Sequence, residues 1–138
     1  MTEASFWVLL RSNLSIKMYR IESRVGAGIP DVHYVSPEGQ GWIELKYLSE
    51  LPQKGAVNIG LKRAQQLWLK NYGLRGGKAW ILLRIGRDAI LLFDGKYSEE
   101  IGRGPKYSNL AELVSWSKFG NMTQKDWKEL SECIKEQN

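Results

Sequence analysis

Gly28-Ile29-Pro30-Asp31 and, after twelve intervening residues, Glu44-Leu45-Lys46 decide how this chain is read. Pro30 sets a loop-to-strand entry, and it places Asp31 at the mouth of a strand predicted over Asp31 to Val35. Ser36-Pro37-Glu38-Gly39-Gln40-Gly41 is turn chemistry, and Trp42 to Tyr47 returns as a second strand. The two runs predict an antiparallel hairpin. Strand residues two apart share a face, so Glu44 and Lys46 project together with Trp42, while Ile43, Leu45 and Tyr47 take the other side. With Asp31 beginning the neighbouring strand, its carboxylate comes close to that of Glu44.

Two adjacent carboxylates repel unless a cation lies between them. A hard divalent ion with oxygen ligands is the natural occupant, and magnesium keeps several waters, one of which serves as a nucleophile. Manganese is expected to substitute for it. Lys46 then activates that water and offsets charge on a scissile phosphate. The plain alternative is a surface hairpin carrying a Glu44–Lys46 ion pair. Glu-X-Lys by itself favours that alternative, and the upstream Pro30-Asp31 tips the balance.

The surrounding elements predict an α/β domain with a mixed sheet flanked by helices. Thr2 to Leu14 reads as a helix capped by Thr2, with Phe6, Leu9, Leu10 and Asn13 at helical spacing. Lys17 to Glu22 alternates as a short strand, and Ser23 to Pro30 is a loop. Ser49 to Gly60, with Pro52, Gly55 and Gly60, reads as a mobile loop. Leu61 to Tyr72 is the clearest helix, and Gly73 is its expected C-terminal cap. Lys78 to Arg84 and Ala89 to Phe93 are apolar strands joined tightly by Gly86-Arg87-Asp88. Two helices are expected to follow, over Ser108 to Lys118 and over Thr123 to Ile134, the latter with a Thr123–Asp126 capping box. Without repeats or linkers, residues 1–138 are expected to form one domain. Its catalytic core is expected at about 1–95 and a helical C-terminal part at 107–138.

Composition narrows the function classes. Lys and Arg number 20 against 15 Asp and Glu, a net charge of +5 that suits a polyanionic partner. Neither the single Cys133 nor the single His33 supports a disulfide framework or a zinc cluster, and a reducing, cytoplasmic setting is expected. No apolar run is long enough to span a membrane. Glu3 ahead of Phe6-Trp7-Val8-Leu9-Leu10 argues against a secretory leader.

Pro30-Asp31 followed by Glu44-Leu45-Lys46 resembles the motif of the PD-(D/E)XK nuclease superfamily, in particular archaeal-type Holliday junction resolvases and VRR-type nuclease domains. The resemblance covers roughly Glu3 to Phe93. It implies a restriction-endonuclease-like fold, with Asp31, Glu44 and the Leu45 backbone carbonyl as metal ligands and Lys46 as a catalytic residue. In these families a glutamate on the first helix often reaches the metal site, and Glu3 is the candidate; the alternative is a solvated residue in the helix's first turn. Gln65-Gln66-Leu67-Trp68-Leu69 is similar to the Gln-X-X-Trp-Leu pattern of these families, which adds Gln65 to the catalytic set. Gln65 is also the polar member of the stripe Leu61, Gln65, Trp68, Tyr72, and a buried amide needs partners. Arg20, Ser23 and Arg24 match the polar strand and loop that precede the aspartate in these families. They are candidate phosphate contacts, as are Lys54, Lys62 and Arg63.

These implications lead to a metal-dependent, structure-specific DNA endonuclease, foremost a Holliday junction resolvase acting on branched DNA as a homodimer. Trp116, Phe119 and Trp127 are candidates for the dimer interface or, equally, for the core. A small nuclease of this kind suits a phage or mobile element, acting in the host cytoplasm. The alternatives are another nuclease of the same fold (VRR-type, nicking, flap or restriction-like), an RNA-directed nuclease, and a basic DNA-binding module without catalysis.

Overall fold

The computed structural model describes residues 2–21 and 28–136. Ser23 and Arg24 lie outside the described residues. The fold is α/β: one six-stranded mixed sheet with helices on both faces. Helix α1 spans Glu3–Asn13 and opens on a capping box in which Thr2 and Ser5 bond reciprocally. Strands β1 (Lys17–Arg20), β2 (Val32–Ser36) and β3 (Gly39–Leu48) form an antiparallel meander. Helix α2 (Arg63–Leu74) then crosses over to β4 (Ala79–Ile85), which lies parallel to β3. Strand β5 (Ala89–Asp94) returns antiparallel to β4. A 3-10 turn at Gly95–Tyr97 leads into the short helices α3 (Ser98–Gly102) and α4 (Tyr107–Glu112).

The expected helix over Ser108 to Lys118 is corrected by the structure. After α4 the chain becomes strand β6 (Val114–Phe119), which pairs antiparallel with β5 and closes the sheet order β1-β2-β3-β4-β5-β6. The region 107–138 is therefore not purely helical, because the outer edge of β5 takes its ladder partners from it. Val114, Trp116 and Lys118 alternate with the exposed Ser115, Ser117 and Phe119, a period of two rather than 3.6. The chain ends its described part in α5 (Gln124–Lys135), capped by Thr123 and Asp126 as expected. Helix α2 also runs past the expected stop. Gly73 lies inside it, Arg75 caps it, and Gly76 takes the left-handed conformation at φ +87°.

Two apolar layers hold the sheet. On one face Phe6 and Leu10 of α1, with Trp127, Leu130 and Ile134 of α5, bury Val32, Tyr34, Ile43, Leu45, Leu82 and Leu92. On the other, Leu69 of α2, Ile101, Leu110 and the segment Val57-Asn58-Ile59-Gly60-Leu61 cover Ile81, Leu83, Leu91 and Phe93. Covered on both sides, β4 is buried at every position, which is why it reads as a continuous apolar run. Trp127 belongs to this core and Trp116 packs against it, whereas Phe119 is exposed. No helix among the described residues is long and apolar enough to cross a membrane.

Helix α5 is tied to the sheet by a buried polar knot. The Tyr34 hydroxyl donates to the Ile134 carbonyl at 3.2 Å, and Trp80 Nε1 reaches both of those oxygens at 3.2 Å. Burial pushes the Tyr34 phenol up to about 12, so it stays a donor at any physiological pH. Tyr34→Phe should therefore lower stability by about 1 kcal/mol in a denaturant titration, with an unchanged m-value.

Candidate active site

The β2–β3 hairpin delivers Asp31 and Glu44 as expected. The register pairs Val32 with Ile43, and continuing it by one residue sets Asp31 across from Glu44. Asp31 Oδ2 accepts a hydrogen bond from the Leu45 backbone N–H at 2.9 Å, and its own carbonyl accepts from Ile21 N–H at 2.7 Å. The aspartate is thus fixed by the strands on either side of it.

Glu44, Lys46 and Gln65 meet where the N-terminal turn of α2 overlies β3. Gln65 Nε2 donates to Glu44 Oε2 at 2.8 Å, and Lys46 Nζ donates to Gln65 Oε1 at 3.0 Å and to the Gly60 carbonyl at 3.1 Å. Lys46 Nζ also lies 3.3 Å from Glu44 Oε2. Gln65 Oε1 accepts further from the Lys62 N–H at 2.9 Å, so one amide serves both the helix start and the site. The polar position in the helical stripe has its explanation here: its partners are Glu44 and Lys46. Gly28 holds the loop before Asp31 against this helix end. It sits at φ +91°, and a Cβ there would collide with the Ala64 carbonyl.

The electrostatics of Glu44 are set by burial. Its side chain is 2% exposed. Desolvation, and then the Asp31 charge, push its carboxyl up to about 8, and Lys46 offsets only part of this. Glu44 Oε1 is buried with no hydrogen-bond partner among the described residues. Such an orphaned oxygen beside a second carboxylate fits a hard divalent cation. Among the described residues no three His, Cys, Asp or Glu side chains close around one point. Asp31 and Glu44 would hold such an ion through one or two carboxylate oxygens.

The other predicted residues divide. Glu3 faces the site from α1, where burial and the Asp31 charge raise its pKa, and it lies 3.8 Å from Arg20. Arg20 also lies over the Trp7 ring at 5.9 Å, and its Nη1 has no partner among the described residues. Arg63 is held by Glu99 at 2.7 Å, with Lys70 on the other oxygen of that carboxylate at 2.6 Å. Lys62 is exposed at the start of α2, and Lys54 is exposed in the 49–60 loop. The backbone contributions of Gly60 and of the Leu45 N–H had no side-chain signature from which to be read.

Glu44 makes the metal-free protein sensitive to pH. The folded chain keeps the Glu44 proton up to pH about 8, while the unfolded chain releases it near the ordinary value of 4.5. The resulting contribution to stability is full below pH 4.5 and is lost as pH rises through 8. In the presence of a chelator, Tm of the wild type should fall by about 10 °C relative to Glu44→Gln between pH 5 and pH 8. Magnesium should recover Tm for the wild type only.

No protein-family model matches the chain, and no curated protein matches it. Among solved structures it is similar to that of Hjc from Archaeoglobus fulgidus, a Holliday junction resolvase from an archaeal hyperthermophile. The two chains are 21% identical, with a TM-score of 0.44, over 67% of this chain and 72% of that one. A likeness of that degree assigns neither a family nor an activity to this chain.

Proposed function

We propose that the protein is a divalent-metal-dependent DNA endonuclease that hydrolyses phosphodiester bonds. The observation that carries this reading is the buried Glu44 Oε1 beside Asp31, without a hydrogen-bond partner among the described residues, with Lys46 held at the same point by Gln65. A purely structural Glu–Lys pair at the same depth would satisfy both carboxylate oxygens, because an unmade hydrogen bond in a buried site costs about 1–3 kcal/mol.

Asp31, Glu44 and the Leu45 carbonyl are the ligands in this reading. The carbonyl leaves β3 on the same edge as the Leu45 N–H that bonds Asp31. Glu3, which shares the electrostatic surroundings of Asp31 and Lys46, is the further candidate ligand. Magnesium, with manganese as a substitute, supplies an activated water and polarises the phosphoryl oxygen when bound. The protein's own groups do the rest. Lys46 has its ammonium aimed by the Gly60 carbonyl and Gln65, and it offsets charge developing on the phosphate. Gln65 positions both Lys46 and Glu44. The net charge of +5 draws in the polyanion, and Lys54, Lys62, Arg20 and Arg24 supply phosphate contacts.

The motif resemblance directs the substrate assignment to branched DNA, with Holliday junction resolution by a homodimer as the specific activity. Cleavage of four-way junction, flap and linear duplex DNA at equal concentration with magnesium tests it. Junction cleavage should exceed the other two, and preference for flap or duplex would overturn the resolvase assignment while keeping the nuclease. Asp31→Asn should abolish cleavage while sparing junction binding. Lys46→Ala should slow cleavage by about a hundredfold or more. A wild-type protein inert with both magnesium and manganese would refute the nuclease reading.

A further inference from the structure

The face of the sheet that carries Asp31 and Glu44 is covered by α2 over β3 and β4, but among the described residues it is open over β1 and β2, where Tyr19 and Val35 are exposed. The register places Tyr19 of β1 opposite His33 of β2, and His33 opposite Trp42 of β3. These three aromatic residues form a straight row across the strands. They share the sheet face of Asp31 and Glu44, because Met18, Val32, Tyr34 and Ile43 all point into the opposite core. The His33 and Trp42 rings lie 4.9 Å apart. The row is extended onto α2 by Trp68, whose ring meets Trp42 edge-on at 5.6 Å, and by Tyr72, stacked on Trp68 at 4.8 Å.

The buried end of this row is structural: Trp42, Trp68 and Tyr72 pack against the core. Its outer end is not. Tyr19 is 50% exposed, and Val35, beside His33 on the same face, is 42% exposed. Lys17 Nζ lies 5.5 Å from the centre of the Tyr19 ring, which places a cation at the solvent end of the row. The row stands two residues along the strands from the carboxylates, about 7 Å at the usual rise. That is the reach of one nucleotide from a phosphate at the site.

We propose that Tyr19 and His33 form a stacking platform for an unpaired DNA base adjacent to the phosphate at the Asp31–Glu44 site, with Lys17 on the strand's backbone. Every base has a face to offer such a row, while a base inside an intact duplex has none free. The substrate strand is therefore one that is unstacked at the cleavage point, as at a branch or a single-stranded segment. This inference deepens the nuclease reading and rests on it for the position of the phosphate.

The test is binding without cleavage. Labelled single-stranded DNA and duplex DNA of the same sequence are titrated with the full chain in a chelator, followed by fluorescence anisotropy. Tyr19→Ala should weaken single-strand binding by about tenfold. Tyr19→Phe should restore that binding, and duplex binding should stay within about twofold, since no stacking is lost there. His33→Ala should act in the same direction. In a second measurement, an oligonucleotide with one abasic position at the stacked nucleotide should bind the wild type more weakly but be indifferent for Tyr19→Ala. Equal loss of single-strand and duplex binding, or an abasic penalty that persists in Tyr19→Ala, would overturn the platform. The two readings fail separately. Cleavage with magnesium but no Tyr19 effect overturns the platform alone. The full stacking pattern without cleavage under any divalent metal supports the platform and overturns only the proposed hydrolysis.

Discussion

A carboxylate buried at the centre of a sheet strand is the constraint around which this molecule is organised. Glu44 is taken out of water by α2 above it and by β2 and β4 on either side. Burying such a group costs free energy unless it is paired or hydrogen-bonded. One oxygen is served by Gln65 and Lys46, and the other has no partner among the described residues. Asp31 adds a second negative charge to the same place instead of relieving the first. An arrangement of this kind is unfavourable for stability and suited to holding a cation.

Much of the neighbouring structure exists to keep those groups in place. Helix α2 begins where it does because the Lys62 N–H, Lys46 Nζ and Glu44 converge on one glutamine side chain. The left-handed Gly28 lets the loop before Asp31 touch the backbone at Ala64, so the two halves of the motif are braced against the same helix turn. The Glu99 carboxylate pairs with both Arg63 and Lys70, linking α2 to α3. Its two cationic partners hold Glu99 well below the usual carboxylate range, at about 2.

The sheet is asymmetric in a way that bears on function. Strands β4 and β5 are sandwiched, whereas among the described residues β1 and β2 are covered only on the side of α1 and α5. The site lies at the boundary between the covered and open halves. In the proposed reading a DNA strand lies along the open half while Asp31, Glu44 and Lys46 stay in the drier one, where electrostatic interactions are stronger.

The residues of the site were largely legible in the linear sequence, because their signals are local. Pro30-Asp31, the turn at residues 36–41 and the alternation of Ile43 and Leu45 with Glu44 and Lys46 determine a hairpin, its register and the face each side chain takes. Gln65 was marked by its place in an apolar helical stripe. The failures have equally local causes. Strand β6 lies in a stretch whose sequence predicts a helix, because its short alternation, Val114, Trp116, Lys118, competes with apolar residues at helical spacing just before it, and only the free edge of β5 resolves the choice. The end of α2 was placed at Gly73, since a glycine commonly stops a helix, but the left-handed turn is made three residues later at Gly76. Tertiary structure alone decided the rest. It brought the Gly60 carbonyl to Lys46 and left Glu44 Oε1 without a partner among the described residues. It also aligned Tyr19, His33 and Trp42 from three strands into one row. Those features depend on strand pairing and helix placement across the fold, and no spacing along the chain encodes them.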